Sequence, residues 1–249
     1  MAGFQDHFSG HADRYAAARP TYPEPLFAWM AATCSRRADA WDVGCGNGQA
    51  AVRLAAYFDR VLATDPSAAQ IDHAIAHPGV EYRVEPAERC SAPDGSFDLV
   101  SVAQALHWFD QAAFFAEVRR VARPGAVIVV WGYDLLHVDP GIDAVITAFH
   151  ALVQPHWPPE RAWVATHYGT LAFPFAPIEL PRFSMSHEWP LPRLVDYLET
   201  WSALQRYRRA TGVDPMPRLA EELADVWGDP SALRRIEWPL FGRAGSVLP

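Results

Sequence analysis

The chain has 249 residues, half of them hydrophobic and a fifth charged, with a formal net charge of -8. This composition is typical of a globular protein and excludes an intrinsically disordered chain. A negatively charged chain without long basic runs lacks the basic face that phosphate backbones need, so nucleic acid is excluded as an expected partner. All 21 basic residues are arginines, which excludes Schiff-base chemistry on a lysine.

Cysteine usage and hydropathy predict a cytoplasmic protein. The three cysteines, Cys34, Cys45 and Cys90, cannot all pair with one another and fit a reducing compartment. The first fifteen residues lack the pattern of a secretory signal, and no apolar run approaches the roughly 20 residues of a membrane span. No metal site is predicted, because His7 and His11 can share a helical face but no third ligand accompanies them.

The first half of the chain has the alternation of an α/β fold. Residues 1–35 are predicted to be helical, with breaks before Pro20 and Pro23. Strands are predicted over residues 38–43, 60–64, 80–84, 97–103 and 126–132. Helices are predicted over residues 49–57, 68–76 and 111–122. This alternation, with right-handed crossovers, predicts a doubly wound, Rossmann-like sheet that is mostly parallel and covered on both faces.

The pattern changes after Tyr133. Helices are predicted over residues 142–153 and 192–228, and strand-like stretches over residues 178–188 and 233–241. We expect the two strand-like stretches to form an antiparallel C-terminal strand pair, with the helices packed over the sheet edge as a cap. The expected organisation is an N-terminal helical lid over residues 1–36, a ligand-binding core over residues 37–135, and the helical cap with the last strands over residues 136–249.

The strongest motif is residues 42–48, with the sequence DVGCGNG, at the end of the first predicted strand. Glycines allow a sharp turn and a close approach of ligand to main chain, and this turn is where open α/β sheets bind nucleotide-like ligands. The G-x-G-x-G spacing differs from the one typical of a dinucleotide pyrophosphate. Asp42 would repel a pyrophosphate but attract an α-ammonium group. The motif favours an amino-acid-bearing nucleoside over NAD, and its alternative is a tight turn without a ligand.

An acidic residue, Asp65, follows the second predicted strand, 17 residues after Gly48. A carboxylate about twenty residues beyond a glycine loop can accept hydrogen bonds from both ribose hydroxyls. Asp before Pro is also a common turn former, which is the alternative interpretation. Its position relative to the glycine loop favours the ribose role.

Together these motifs resemble the class I S-adenosylmethionine-dependent methyltransferases, in the type 11 group. Residues 42–48 match the family's first motif, and Asp65 matches its ribose-binding acid. Residues 87–88 with 93–98 resemble the family's adenine-holding stretch. Residues 104–109 (QALHWF) resemble its stretch beside the transferring methyl group, and residues 121–126 (VARPGA) resemble its final turn. The resemblance covers roughly residues 40–132, and the Cys90-Ser91-Ala92 segment departs from it where the family usually has Leu-Pro.

The resemblance implies the cofactor S-adenosylmethionine, the product S-adenosylhomocysteine and a small-molecule acceptor, without a metal. The residues implied to bind the cofactor are Asp42, Gly44, Cys45, Gly46, Asn47, Gly48, Asp65, Pro66, Ala87, Glu88, Gln104 and Ala105.

Short stretches outside the core, residues 19–23, 197–203 and 237–240, resemble the trans-aconitate methyltransferase-like subgroup. This likeness implies O-methylation of a carboxylic acid. The alternatives are O- or C-methylation of an aromatic or polyketide-like metabolite, and a protein that binds S-adenosylmethionine without catalysis. Interpretation of the chain as an NAD-dependent oxidoreductase would explain the glycine loop and Asp65, but not the other motifs.

His107 is the candidate catalytic base, because it follows the fourth strand, where the acceptor should meet the methyl group. An imidazole with its usual pKa of about 6.5 suits proton abstraction. The alternative is that His107 and Trp108 only wall the cofactor pocket. A carboxylate acceptor would need no base, whereas a hydroxyl, amine or carbon acid would benefit from one.

Acceptor contacts are expected from two further places. Tyr15, Arg19 and Tyr22 are candidates for a lid over the sulfonium, since aromatic faces attract cations, and ordinary packing is the alternative. Trp201 and Arg206 lie on a predicted cap helix, where an arginine fork can hold an acid. The alternative for that helix is a solvated face.

Overall fold

The computed structural model describes residues 20–247 of the chain. The strands are β1 Asp39–Val43, β2 Arg60–Asp65, β3 Val80–Val84, β4 Phe97–Ala103, β5 Ala122–Tyr133, β6 Ala176–Ile178, β7 Ser184–Trp189 and β8 Arg234–Ser246. The helices are α1 Glu24–Thr33, α2 Gln49–Leu54, α3 Ala68–Asp72, α4 Gln111–Val121, α5 Pro140–Val153, α6 Ala162–Ala165, α7 Leu191–Glu199, α8 Ser202–Thr211 and α9 Met216–Trp227.

Within residues 20–247, seven strands form one path in the order β3-β2-β1-β4-β5-β8-β6, and β7 pairs with the first half of β8. Strands β1 to β5 are parallel to one another, whereas β8 is antiparallel to β5, β6 and β7. All five residues of β1 are buried, as expected for a parallel strand covered on both faces. The doubly wound, mostly parallel sheet with antiparallel C-terminal strands is confirmed.

The C-terminal elements differ from the prediction in their extent. The stretch predicted as one strand over residues 178–188 is two strands, β6 and β7, separated by a segment that contains Pro181, which has no N–H to donate to a sheet. Strand β8 continues past residue 241 to Ser246, because its second half pairs with β5. The region predicted as helical over residues 192–228 contains three helices, α7, α8 and α9.

Aromatic side chains fill both faces of the sheet. On one face Trp41 stacks on Phe97 with ring centroids 5.9 Å apart, and on the other Trp131 meets Phe27 of α1 edge to face at 6.4 Å. Trp41, Trp131 and Phe27 are completely buried. Burial of each such side chain contributes roughly 2–3 kcal/mol to folding, so the helices are held on both faces of the parallel strands.

Helices α5, α7, α8 and α9, here called the helical layer, share a core with β7, the first half of β8 and the end of β5 at Tyr133. Trp238 is central to this core: its ring lies 5.1 Å from Trp189 and 5.3 Å from Tyr197, and its indole N–H donates to the Tyr197 hydroxyl at 3.1 Å. The helical layer therefore meets the main sheet at the carboxyl end of β5. No helix in the described part of the chain is long and apolar enough to cross a membrane.

At the opposite ends of the strands, the buried carboxylate of Asp98 links three of them. It accepts hydrogen bonds from the backbone N–H groups of Ala38 at 2.8 Å and Asp39 at 3.0 Å, where β1 begins. Arg123, near the start of β5, lies 2.9 Å from Asp98 and donates to the Asp39 carboxylate at 2.8 Å. These contacts fix the relative positions of β1, β4 and β5.

We expect Asp98→Ala to lower the free energy of unfolding by about 3 kcal/mol, because it removes one of the two carboxylates paired with Arg123 and leaves two backbone N–H groups without their acceptor. Urea unfolding measures this change. The matched control is Asp94→Ala, which removes an exposed carboxylate paired with Arg120 and should cost less than about 1 kcal/mol. Equal losses in the two variants would contradict the linking role of Asp98.

Candidate active site

The glycine loop follows β1 at the carboxyl edge of the sheet. Gly44 and Gly48 have φ angles of +65° and +87°, which side chains rarely adopt. A Cβ at Gly48 would lie 2.2 Å from the Tyr82 hydroxyl oxygen, and a Cβ at Gly44 would lie 2.7 Å from the Cβ of Ala105. Neither position has room for a side chain, so glycine at 44 and 48 allows the loop to lie close against Tyr82 and Ala105.

Asp42 lies beneath this loop and is completely buried. One carboxylate oxygen accepts a hydrogen bond from the Ser101 hydroxyl of β4 at 2.7 Å, and the other has no hydrogen-bond partner among the described residues. Burial raises the pKa of Asp42 to about 7, although the Ser101 hydroxyl and the backbone N–H of Ala51 act in the opposite direction. Asp42 therefore places under the loop a carboxyl group that loses its proton near neutral pH.

Asp65 closes the loop from the neighbouring strand, β2. Its two oxygens accept hydrogen bonds from the backbone N–H groups of Gly46 and Ser67, both at 2.9 Å. The backbone N–H of Cys45 donates to Thr64 O at 3.0 Å, so the loop is also bound to the end of β2 through the main chain. Asp65 thus orients its carboxylate along the carboxyl edge of the sheet, beside the glycines.

Gln104 directly follows β4 and has a φ of 53°, a conformation that few non-glycine residues adopt. Three hydrogen bonds hold it to β5: its backbone N–H donates to Trp131 O at 2.7 Å, and its side-chain amide exchanges two bonds with the Tyr133 backbone at 2.9 and 3.0 Å. Ala105 follows, and a 3₁₀ turn over Leu106–Trp108 carries His107. The strained residue directs this turn across the carboxyl edge.

The remaining predicted cofactor residues lie at the same edge. Asn47 belongs to the glycine loop and accepts the Ile75 N–H at 2.9 Å through its carbonyl, and Pro66 follows Asp65 directly. Ala87 is buried after β3, and Glu88 accepts the Asp110 N–H at 2.8 Å, which connects this segment to the start of α4. The fold therefore brings all of the predicted cofactor residues to the carboxyl ends of β1, β2, β3 and β4.

His107 is buried, with its Nδ1 3.4 Å from the hydroxyl of the buried Tyr168. Burial, and to a lesser extent the positive charge of Arg161, lower the pKa of His107 to about 3. The imidazole is therefore neutral throughout the physiological range. A neutral imidazole can accept a hydrogen bond, but one with so low a pKa is a weak base.

Beside His107 lies a cavity between the carboxyl edge of the sheet and the helical layer, here called the edge cavity. It is narrow, with about 80 Å³ of space for water-sized molecules. It is lined by Gln104, His107, Trp108, Tyr133, Asp134, Trp157, Pro158, Arg161, Tyr197, Trp201 and Ser202. A larger hollow of about 490 Å³ lies at the opposite edge, by the amino ends of the strands, where open α/β sheets do not bind their ligands.

The structure places some of the predicted acceptor residues at the edge cavity and others away from it. Trp108 and Trp201 line the edge cavity, whereas Arg206, on α8, does not. Tyr22 packs edge to face on Trp131, with ring centroids 5.5 Å apart, and is also not part of the lining. The two other lid candidates, Tyr15 and Arg19, lie outside the described residues.

Sequence reasoning missed several lining residues. Asp134 comes directly after β5, and its position after a predicted strand could have marked it, because ligands bind at the carboxyl ends of parallel strands. Arg161 and Trp157 lie in a proline-rich segment with no motif, so no pattern in the sequence could have marked them. In the described part of the chain, no three His, Cys, Asp or Glu side chains are grouped as metal ligands.

Comparisons with known proteins place this geometry in a family. A type 11 methyltransferase domain matches residues 41–130. A Dictyostelium discoideum protein named as a methyltransferase is 31% identical over 247 residues, or 96% of this chain and 94% of that protein. A solved structure from Anaeromyxobacter dehalogenans, described as a type II methyltransferase, is 47% identical with a TM-score of 0.88, covering 93% of this chain and 99% of that one.

A Mycolicibacterium smegmatis protein named as an S-adenosylmethionine-dependent methyltransferase is 34% identical over 129 residues, or 51% of this chain and 50% of that protein. The domain match contains the glycine loop, Asp65 and Gln104, which the sheet brings to one edge. The Dictyostelium match extends over 96% of the chain, so it includes the helical layer as well. The chain therefore belongs to the type 11 family of class I S-adenosylmethionine-dependent methyltransferases.

Proposed function

We propose that the enzyme transfers the methyl group of S-adenosylmethionine to an oxygen of a small carboxylic acid. The observation that carries this proposal is the state of His107, whose pKa of about 3 makes it a weak base at neutral pH. Asp134, a second possible base in the lining, is ion-paired with Arg161 at 3.1 Å. A carboxylate is already anionic near pH 7 and needs no base, so this cavity suits an acid better than an acceptor that must be deprotonated.

The carboxyl edge fits the cofactor in its charge and its steric demands. Asp65 lies beside the glycines at the carboxyl end of β2, where a carboxylate can accept hydrogen bonds from the ribose hydroxyls. The crowded glycines at 44 and 48 leave the main chain open to close approach by a nucleoside. Asp42, with an oxygen that lacks a partner among the described residues, would attract the α-ammonium group from beneath the loop.

When bound, S-adenosylmethionine supplies a methyl group activated by a sulfonium. The acceptor oxygen forms its bond to the methyl carbon as the carbon–sulfur bond breaks and sulfur keeps the electron pair, so no proton moves. The residues of the chain act by alignment and by exclusion of water. Gln104, held to β5 by three hydrogen bonds, fixes one wall, and the buried His107 and the adjacent Trp108 form the next.

A second candidate is O- or C-methylation of an aromatic or polyketide-like metabolite. The five aromatic side chains in the edge-cavity lining favour it, since planar rings pack well against them. Such an acceptor would need a base, and His107 would have to serve despite its low pKa. The likeness to trans-aconitate methyltransferases supports the carboxylic acid. A third possibility, binding without catalysis, would yield no methylated product.

We expect the protein to bind S-adenosylhomocysteine and not NAD in a calorimetric titration. Asp65→Ala should weaken S-adenosylhomocysteine binding roughly 10- to 100-fold, because hydrogen bonds to a charged acceptor are lost. Asp59→Ala removes an exposed carboxylate just before β2 and should leave the affinity unchanged. Binding of NAD, or equal affinities in the two variants, would contradict the cofactor assignment.

We expect cofactor binding to release protons from Asp42 below pH 7. The ligand-free carboxyl has a raised pKa of about 7, and a bound ammonium group would lower it, so affinity should increase as the pH rises from 6 to 8. At pH 6.5, titrations in buffers of different ionisation enthalpy should show roughly three quarters of a proton released per site.

Two variants test the source of these protons. Asp42→Asn should release none. Ser101→Ala removes a hydrogen bond that favours the ionised carboxylate, so it should raise the pKa of ligand-free Asp42 and increase the release at pH 7.5. Equal proton release in wild type and Asp42→Asn would contradict the assignment.

With a carboxylic acid acceptor, we expect His107→Gln to lower kcat less than about 10-fold, because no proton has to be removed. The wild-type rate should also show no inflection from His107 between pH 5 and 9, since its pKa of about 3 keeps it neutral there. The measurement is formation of the methyl ester by mass spectrometry, with the exposed His73→Gln as control. A loss of about 100-fold or more would favour the base-dependent alternative.

A further inference from the structure

Tyr168 is held against His107 by a strained stretch of backbone. It follows helix α6, its side chain is completely buried, and its ring packs edge to face on Phe241 of β8, with centroids 5.2 Å apart. His167 and Tyr168 have φ angles of 51° and 58°, a conformation that few non-glycine residues adopt. The backbone N–H of Tyr168 donates to Trp163 O at 2.9 Å. The fold therefore maintains a strained turn that brings this phenol to His107.

The hydroxyl of Tyr168 lies 3.4 Å from Nδ1 of His107, and both side chains are uncharged near neutral pH. Burial raises the pKa of Tyr168, although the positive charge of Arg161 acts in the opposite direction. His107, with its pKa of about 3, has a neutral ring. A neutral imidazole carries one proton, on Nδ1 or on Nε2, and accepts hydrogen bonds through the other nitrogen. The direction of this one hydrogen bond therefore determines the tautomer.

The relative acidities of the two groups give that direction. A phenol, with an ordinary pKa of about 10, is a stronger donor than the N–H of a neutral imidazole. An imidazole nitrogen, whose protonated form has an ordinary pKa of about 6.5, is a stronger acceptor than a phenol oxygen. The Tyr168 hydroxyl therefore donates to Nδ1 of His107. Nδ1 then has no proton, so the proton of the ring lies on Nε2.

This tautomer gives the edge cavity a hydrogen-bond donor. His107 lines the cavity, whereas Tyr168 is not part of its described lining. The two nitrogens of an imidazole point to different sides of the ring, so a ring with Nδ1 turned to Tyr168 has Nε2 on the side away from it. An N–H group binds the lone pairs of an oxygen but offers no lone pair to a hydroxyl or an ammonium group. His107 therefore suits a carboxylate oxygen.

We propose that Tyr168 is a positioning residue that holds His107 with its proton on Nε2, and that this N–H donates a hydrogen bond to a carboxylate oxygen of the acceptor. This inference rests on the proposed function, because it names a contact made with the acid that is methylated. The hydrogen bond is to the oxygen that does not attack, and it orients the other oxygen towards the methyl carbon. His107 keeps its Nε2 proton throughout, so no proton is transferred.

The first test is an NMR measurement of the ring nitrogens of His107 in the ¹⁵N-labelled protein bound to S-adenosylhomocysteine. A ring nitrogen without a proton resonates far downfield of one with a proton, so the wild-type spectrum assigns the tautomer without any variant. We expect a protonated Nε2 and an unprotonated Nδ1 from pH 6 to 8. The signals of His107 are identified by their loss in His107→Gln.

Tyr168→Phe removes only the hydroxyl, so it should move the Nδ1 resonance of His107 further downfield, as expected when a lone pair loses its donor. The matched control is Tyr207→Phe. The Tyr207 ring also lies beside a histidine, His156, with centroids 5.2 Å apart, but it is not part of the described edge-cavity lining. This control should leave Nδ1 of His107 unchanged, which separates a direct contact from general loosening of the fold.

The second test adds two small ions, acetate and methylammonium, at equal concentrations to the protein bound to S-adenosylhomocysteine. Acetate presents carboxylate oxygens, so it should shift the Nε2 resonance of His107. Methylammonium has only N–H donors and should leave that resonance unchanged, because a protonated Nε2 has no lone pair to accept them. An unprotonated Nε2 would give the opposite result.

The inference is overturned by a proton on Nδ1 in the wild type, by an Nδ1 resonance that Tyr168→Phe does not move, or by an Nε2 resonance that responds to methylammonium or fails to respond to acetate. The proposed function is judged separately, by detection of methyl esters. Ester formation together with any of these results would leave carboxylate methylation standing and remove only the roles of Tyr168 and His107. Absence of ester from every acid, with S-adenosylhomocysteine bound and the proton on Nε2, would remove the proposed function and leave the tautomer in place.

Discussion

The arrangement at the carboxyl edge depends on a buried ion pair at the other end of the strands. Asp98 binds the backbone N–H groups of Ala38 and Asp39, where β1 begins, and the guanidinium of Arg123, near the start of β5. Parallel strands rise about 3.3 Å per residue, so strands aligned at one end stay aligned at the other. The register that places Asp42 beside Ser101 follows from this alignment, and it determines where the glycine loop emerges. The β4–β5 register shifts between Phe97 and Leu99 and is regular from Leu99 to Ala103, after which Gln104 emerges.

The charges at the carboxyl edge are unevenly distributed. Asp42 and Asp65, at the glycine loop, are carboxylates, and the proposed ligand is cationic at its ammonium and sulfonium groups. In the described lining of the edge cavity, the guanidinium of Arg161 is ion-paired with the carboxylate of Asp134, so the two charges offset each other. His107, between them, is kept neutral by burial. Under the proposed function, the cationic cofactor and an anionic acceptor would meet at this carboxyl edge, next to a neutral imidazole.

The helical layer forms part of the wall of the edge cavity, through Tyr197, Trp201 and Ser202. It is attached to the sheet through β7 and β8, by the Trp238 cluster, and not through the strands that carry the cofactor residues. Segments that connect such elements, including the one with Trp157 and Arg161, can therefore change without disturbing the glycine loop. This separation explains why family membership establishes the cofactor while the acceptor has to be inferred from the cavity itself.

The sequence by itself determined the elements and ligand of the parallel sheet, because strand periodicity, the glycine spacing and Asp65 are local signals. It did not determine the limits of β6, β7 and β8, since strand pairing depends on partners far along the chain. Only the tertiary structure decided that Arg161 and Asp134 share a cavity and that Arg206 lies outside it. The low pKa of His107 was likewise beyond the sequence, because burial, which lowers it, is a property of the whole packed fold.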